Sequence, residues 1–170
     1  GTDAGIALRV LGESLSLAGS FRPAGRLLER ALKLLERTPE RYELAMAQIA
    51  LARHFGRAHG KEGAPAAEGL SERAVDLVKK AWTFLASVDL PEQAAEALVQ
   101  LAQVRVEFGR LDDAMRDMAR TRALAEHVGR RDLLRRLDSL HEMVEERSAK
   151  TAHLASPEAD LIEEWGRLFG

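Results

Sequence analysis

Met46-Ala47-Gln48-Ile49-Ala50-Leu51-Ala52-Arg53 and Leu98-Val99-Gln100-Leu101-Ala102-Gln103-Val104-Arg105 share one order of small and large residues, 52 positions apart. A second match, Ala24-x-x-Leu27-Leu28-x-x-Ala31-Leu32 with Ala74-x-x-Leu77-Val78-x-x-Ala81-Trp82, recurs 50 positions apart. Self-similarity at such a period is the mark of a repeat array. Small residues seven apart, with larger ones three and four positions on, let two helices approach closely on one side. The bulky side then fills the gap to the next hairpin.

Outward from these stretches, helical periodicity runs through the chain and turn residues break it at intervals. It predicts helices over about 4–18, 23–37, 40–58, 71–87, 91–108, 111–128 and 131–148, then a short terminal one. Gly19 and Gly129 close two of them, and Pro23 is tolerated in a first turn. Ser71 and Asp89 are the expected N-caps of the fourth and fifth helices. Between His59 and Leu70, Gly60, Gly63, Pro65 and Gly69 predict the one long loop.

Composition agrees. The chain has 170 residues, with 28 Ala and 26 Leu against 9 Val and 3 Ile, so helix formers far outnumber the residues that favour sheets. With no cysteine, disulfides, thiolate metal sites and cysteine nucleophiles are excluded. A net charge of −2 and a pI near 6.3 argue against nucleic-acid binding. No apolar run approaches the ~18 residues that a membrane span needs, and no signal-peptide pattern opens the chain, so a cytoplasmic protein is expected. The first residues, Gly1-Thr2-Asp3, suggest a piece of a longer protein.

The hairpins resemble the tetratricopeptide repeat. Leu8, Leu11-Gly12, Leu15, Gly19, Phe21, Ala24, Leu28 and Ala31 stand at the spacings of that family's signature, with Pro39 as its closing proline. Leu98, Leu101-Ala102, Gly109, Leu111, Ala114 and Met118 follow the same register, and Phe108-Gly109-Arg110-Leu111-Asp112-Asp113-Ala114 is similar to its inter-helix turn. Arg53 and Arg105 stand where the family usually has tyrosine, a departure that suggests a divergent subgroup with longer helices, similar to the helical arrays of large bacterial signal-transduction ATPases and transcription regulators. The resemblance implies an all-α superhelix of helical hairpins with a capping helix. Residues 1–149 then form the repeat domain (hairpins about 4–37, 40–87 and 91–128, cap 130–149), and 150–170 a linker and amphipathic C-terminal helix. It also implies a non-catalytic protein-interaction module without cofactor or metal, whose partner is a protein, a peptide or another domain of the same full-length chain. The matching groove positions are Ile6, Arg9, Glu13 and Leu17; Leu44, Ala47, Leu51, His54 and Phe55; Glu96, Val99, Gln103 and Val106. The residues that grip a terminal carboxylate in chaperone-binding members are missing. A small-molecule effector pocket near His54 and Arg105 is the main alternative, and homo-oligomerisation another.

No catalytic constellation stands out. His141 and Glu145 share a helix face without further ligands nearby, and His141-Glu142-Met143-Val144-Glu145 is not the HExxH metal signature. Gly60-Lys61-Glu62-Gly63 lacks the phosphate-loop spacing. Two features remain. Arg116, Arg120, Arg122, Arg130, Arg131, Arg135 and Arg136 make residues 105–136 net +3, and residues 137–170 are net −5, so the acidic tail or a partner's acidic segment has a basic surface to cover. Ser156 caps a helix in which Pro157 fits the first turn, and Leu161, Ile162, Trp165, Leu168 and Phe169 form its apolar stripe. That helix is expected to cap the last hairpin, or to occupy a groove of its own chain or a neighbour's, or to lead into a further domain.

Overall fold

In the computed structural model, which describes residues 1–62, 69–154 and 157–169, the chain is all-helical. The helices are α1 (Thr2–Leu17), α2 (Phe21–Leu35), α3 (Arg41–Glu62), α4 (Leu70–Ser87), α5 (Pro91–Glu107), α6 (Leu111–His127), α7 (Arg131–Leu154) and α8 (Pro157–Phe169). Consecutive helices form hairpins. The odd-numbered helices α1, α3, α5 and α7 also pack on one another, whereas α2, α4 and α6 touch only odd-numbered neighbours. The result is an array with an inner layer of odd helices and an outer layer of even ones.

One turn builds most of the array. At Gly19, Asp89, Gly109 and Gly129 the chain turns left-handed, with φ of +84°, +55°, +75° and +73°. The next residue then donates its N–H back across the helix end: Ser20 to the Leu15 carbonyl, Leu90 to Leu85, Arg110 to Arg105 and Arg130 to Ala125, at 2.8–3.1 Å. These are Schellman closures, which satisfy carbonyls that the helix end would leave bare. Glycine marks three of the four. Asp89 is therefore not the N-cap expected from its place before α5, since Leu90 holds that position. Aspartate tolerates the left-handed region better than most side chains, so one residue type serves both roles. Ser71 is likewise not a cap, because α4 starts at Leu70 behind Gly69, whose φ is +77°.

Equivalent positions recur every 40 residues, with ten more inserted between α3 and α4. Gly5, Ala45 and Ala95 are buried equivalents, as are Gly12, Ala52 and Ala102; in the outer helices Leu28, Val78 and Met118 correspond. The first of each inner-helix set is glycine for lack of room, because a Cβ on Gly5 would lie 2.7 Å from Leu35 Cγ and one on Gly12 the same distance from Leu28 Cγ. The insertion begins by prolonging α3 to Glu62, so His59 and Gly60 are helical rather than in the expected loop. His59 stacks on Phe108 with ring centroids 4.9 Å apart. Gly63 and Pro65 of that loop, and the cap Ser156, lie outside the described residues. α7 is six residues longer than predicted.

Leu28, Leu35 and Leu51 fill the core of the first two hairpins, and Val99, Val106, Leu133 and Leu137 that of the last. At roughly 1.5–3 kcal/mol per buried large side chain, these residues supply most of the drive for stacking. Among the described residues no helix is long and apolar enough to cross a membrane.

Candidate functional site

The 40-residue period fixes which inner-helix residues face outward from the core. Glu13, Arg53, Gln103 and Met143 are equivalent, as are Leu17, Arg57, Glu107 and Arg147. They form two rungs across the inner layer. Arg9, Glu13, Tyr42, Met46, Arg53 and Arg57 lie in one inner cleft of about 240 Å³. Leu17, Arg57, Gln103, Glu107 and Arg147 line a second, of about 610 Å³. Arg57 stands in both.

The expected groove is therefore only partly realised. Arg9, Glu13, Leu17 and Gln103 are at the inner clefts. Ala47, Leu51 and His54 are instead core residues, at 0%, 0% and 5% exposure, as are Leu44, Val99 and Val106. The physical reason is phase: the 52-residue match shifts α3 against α5 by two positions, and two residues turn a helix by ~200°. Read at 50 residues, the α3 positions that reach the first inner cleft are the half-buried Met46, Ile49, Arg53 and Arg57. Of these, the sequence reading noticed only Arg53. Val99 and Val106 of α5 are core whatever the offset. Ile6, Phe55 and Glu96 are half-buried, and Glu96 lines the first cleft.

Arg53 is the charged centre of the surface. It donates to Gln100 Oε1, and its Nε lies 3.5 Å from Glu107 Oε1. Neither Arg53 Nε nor Glu107 Oε1 completes a hydrogen bond among the described residues. Burial lowers the Arg53 guanidinium to a pKa of about 10, with Glu107 pulling the other way and Arg57 adding to the fall. Burial also raises the Glu107 carboxyl, opposed by Arg53, Arg57 and Arg147. Three cations thus act on one carboxylate. Arg147 spends one N–H on the Val106 carbonyl at 2.6 Å, and Arg57 reaches the Ser16 hydroxyl at 3.3 Å but no carboxylate among the described residues.

His54 faces away from this surface. Its Nδ1 is 3.0 Å from Ser16 Oγ, and its ring lies between Phe21 and Phe55 with centroids 6.1 and 5.8 Å away. A Cβ on Gly25 would sit 3.0 Å from Nε2, so glycine makes room for the imidazole. Burial, followed by the nearby Arg57, lowers its pKa. Arg105 points to the outer layer, with Nε 2.6 Å from Asp117 Oδ2. His54 and Arg105 therefore do not converge on the expected effector pocket.

His141 and Glu145 form an ion pair at 3.0 Å, and no group of three potential ligands capable of holding a metal occurs among the described residues. The basic stretch is largely paired close to home: Arg122 with Asp138, Arg130 with Asp132, and Arg136 with Glu96. Among the described residues α8 touches only α7, and the stripe Leu161, Ile162, Trp165, Leu168 and Phe169 is exposed.

Fold and site together define an all-α array of helical hairpins with a charged inner face. No family model matches the chain, and no curated protein matches it.

Proposed function

We propose that the chain is a non-catalytic interaction module, of the tetratricopeptide-like kind that its sequence resembles, working in the cytoplasm as the sensor or regulatory part of a bacterial signalling or transcription regulator. Its inner face holds a peptide or helix from a protein partner or from another domain of the same chain. The observation that carries this is the state of Arg53, Arg57 and Glu107. These charged side chains line two clefts that share Arg57; among the described residues Arg53 Nε and Glu107 Oε1 are buried without a completed hydrogen bond, and Arg57 has no carboxylate partner. Burial without full pairing is costly, and a polar ligand that completes those contacts recovers the cost. Tyr42 and Met46 beside them offer apolar anchors, so the surface suits a segment that brings one acidic and one or two apolar side chains.

Tyr42→Ala combined with Arg57→Ala tests this, because Tyr42 is 41% exposed and Arg57 lacks a carboxylate partner among the described residues. The double variant should keep its urea midpoint and lose at least ten-fold in affinity for any partner that wild type binds. Lys33→Ala with Lys79→Ala on the outer layer should keep both. Equal binding by the two double variants would rule out the inner face.

A further inference from the structure

Both ends of the array carry an apolar face that nothing in the described chain covers. At the C-terminal end, Leu161, Ile162, Trp165, Leu168 and Phe169 of α8 are 64–72% exposed, and the Trp165 and Phe169 rings lie 4.7 Å apart on one side of the helix. At the other end, α1 packs among the described residues only on α2 and α3. Its remaining face presents Val10 and Leu11, at 50% and 52% exposure, with exposed Ala4, Ala7, Ser14 and Ala18 along the same arc, and Leu17 stands where this face meets the second inner cleft. The only charges on α1 besides the terminal Asp3 are Arg9 and Glu13, and both turn to the inner cleft. Solenoids ordinarily close their ends with polar faces. Here a helix of small and mid-sized apolar residues at one end matches a helix of bulky ones at the other.

Charge selects how these faces meet. α8 carries Glu158, Asp160, Glu163 and Glu164 against Arg167, net −3. α2 carries Arg22, Arg26, Arg30 and Lys33 against Glu29, but these line a cleft with Phe55 on the side away from α1, where Glu29 pairs with Arg73. Of them Arg30 stands nearest the α1 face, one helical turn from both Leu27 and Leu34, the half-buried leucines of α2. Among the described residues Arg30 is in no ion pair. Two α8 helices facing each other would oppose −3 to −3, whereas α8 on α1 meets a face whose nearest charge on α2 is the unpaired Arg30. Among the described residues α8 contacts only α7, at the far end of the array.

We propose that the occupant of the α1 face is α8 of a second copy of this chain, with its acidic flank toward Arg30 of α2. The contact is heterologous, so each copy keeps one free end and association continues into a ring or an open row.

Light scattering on a sizing column, run over a hundred-fold range of concentration, tests the proposal. Wild type should gain mass with concentration beyond a dimer. Leu11→Glu, which spoils the α1 face, and Trp165→Glu, which spoils the α8 face, should each elute as monomers. An equimolar mixture of the two should form a 1:1 dimer and nothing larger, because each variant keeps the face that the other lacks. If Leu11→Glu loses helicity, Val10→Glu replaces it. Raising salt from 0.05 to 0.5 M should weaken the wild-type association by several-fold. A wild type that stays monomeric overturns the proposal. So does a mixture that stays monomeric, or one single variant that still dimerises, which would signal pairing of like helices.

Discussion

Arg53 and Arg105 occupy matching places in two stretches of similar sequence, yet they take part in opposite kinds of ion pair. Arg105 faces the outer layer and closes on Asp117 at 2.6 Å inside one hairpin, where Asp117 is 5% exposed. Arg53 faces the inner clefts and reaches Glu107 in the next hairpin at 3.5 Å, leaving donor and acceptor incompletely bonded. The first pair is the tighter one and ties α5 to α6 within a hairpin, although its Nε and Oδ2 atoms, like Arg53 Nε and Glu107 Oε1, complete no hydrogen bond of good geometry among the described residues. The second is looser, bridges two hairpins and lies at the inner clefts. Chemically similar pairs thus separate into architecture and recognition according to which layer they face.

The strongest way to break this contrast is to remove each arginine in turn. Arg105→Ala strands the Asp117 carboxylate with only the exposed Arg120 at 2.9 Å, and should lower unfolding free energy by ~3–5 kcal/mol. Arg53→Ala should cost less, ~1–3 kcal/mol. Glu107 keeps Arg57 and Arg147 nearby, its raised pKa lets it take up a proton, and the loss relieves a guanidinium that burial already penalises. Urea unfolding of both variants, with the slope checked for constancy, measures the gap. Equal costs would remove the distinction between the two layers.

A second test uses His54, whose Nδ1 lies 3.0 Å from the Ser16 hydroxyl that Arg57 also reaches. Its pKa is lower folded than unfolded, so below about pH 6.5 the unfolded chain binds a proton that the folded one refuses. Stability should therefore fall as pH drops through that value, with a slope of up to ~1.4 kcal/mol per pH unit from this residue, levelling off below the folded pKa. His54→Gln should flatten the dependence between pH 7.5 and 5.5. An unchanged slope in the variant would assign the effect to other groups.

The turns give the smallest effects and sharpen the same comparison between repeats. Gly109→Ala forces a Cβ into left-handed backbone and should cost ~1–2 kcal/mol, whereas Asp89→Gly should gain ~0.5–1 kcal/mol, because the second repeat lacks the glycine that the others have. Thermal or urea midpoints of the two variants should move in opposite directions.

Much of the architecture was legible in the sequence. Gly19, Gly109 and Gly129 marked the helix ends, and the alanines at 24, 31, 74, 81, 102 and 114 marked positions that are all buried in the structure. Phase was harder to read. Eight residues made largely of alanine and leucine match at more than one offset, and the ten residues added after α3 hide the 40-residue period. The resulting two-position slip put Ala47, Leu51 and His54 on the groove and overlooked Met46 and Arg57. Asp89 was misread because aspartate suits an N-cap and a left-handed turn alike. The stripe of α8 was plain from its spacing, but an amphipathic pattern states only that a helix has a partner face; on α1 the exposed Val10 and Leu11 stand among alanines, so no comparable stripe shows in the sequence.

Because the chain has no cysteine, single-cysteine labelling tests the inner face directly. Native-state maleimide labelling of Tyr42→Cys and Met46→Cys should be fast, and that of Ala47→Cys and Leu51→Cys slower by at least a hundred-fold, limited by unfolding. A bound partner should protect positions 42 and 46 alone. Rapid labelling at 47 and 51, with protection there and none at 42 and 46, would contradict both the register and the function drawn from it.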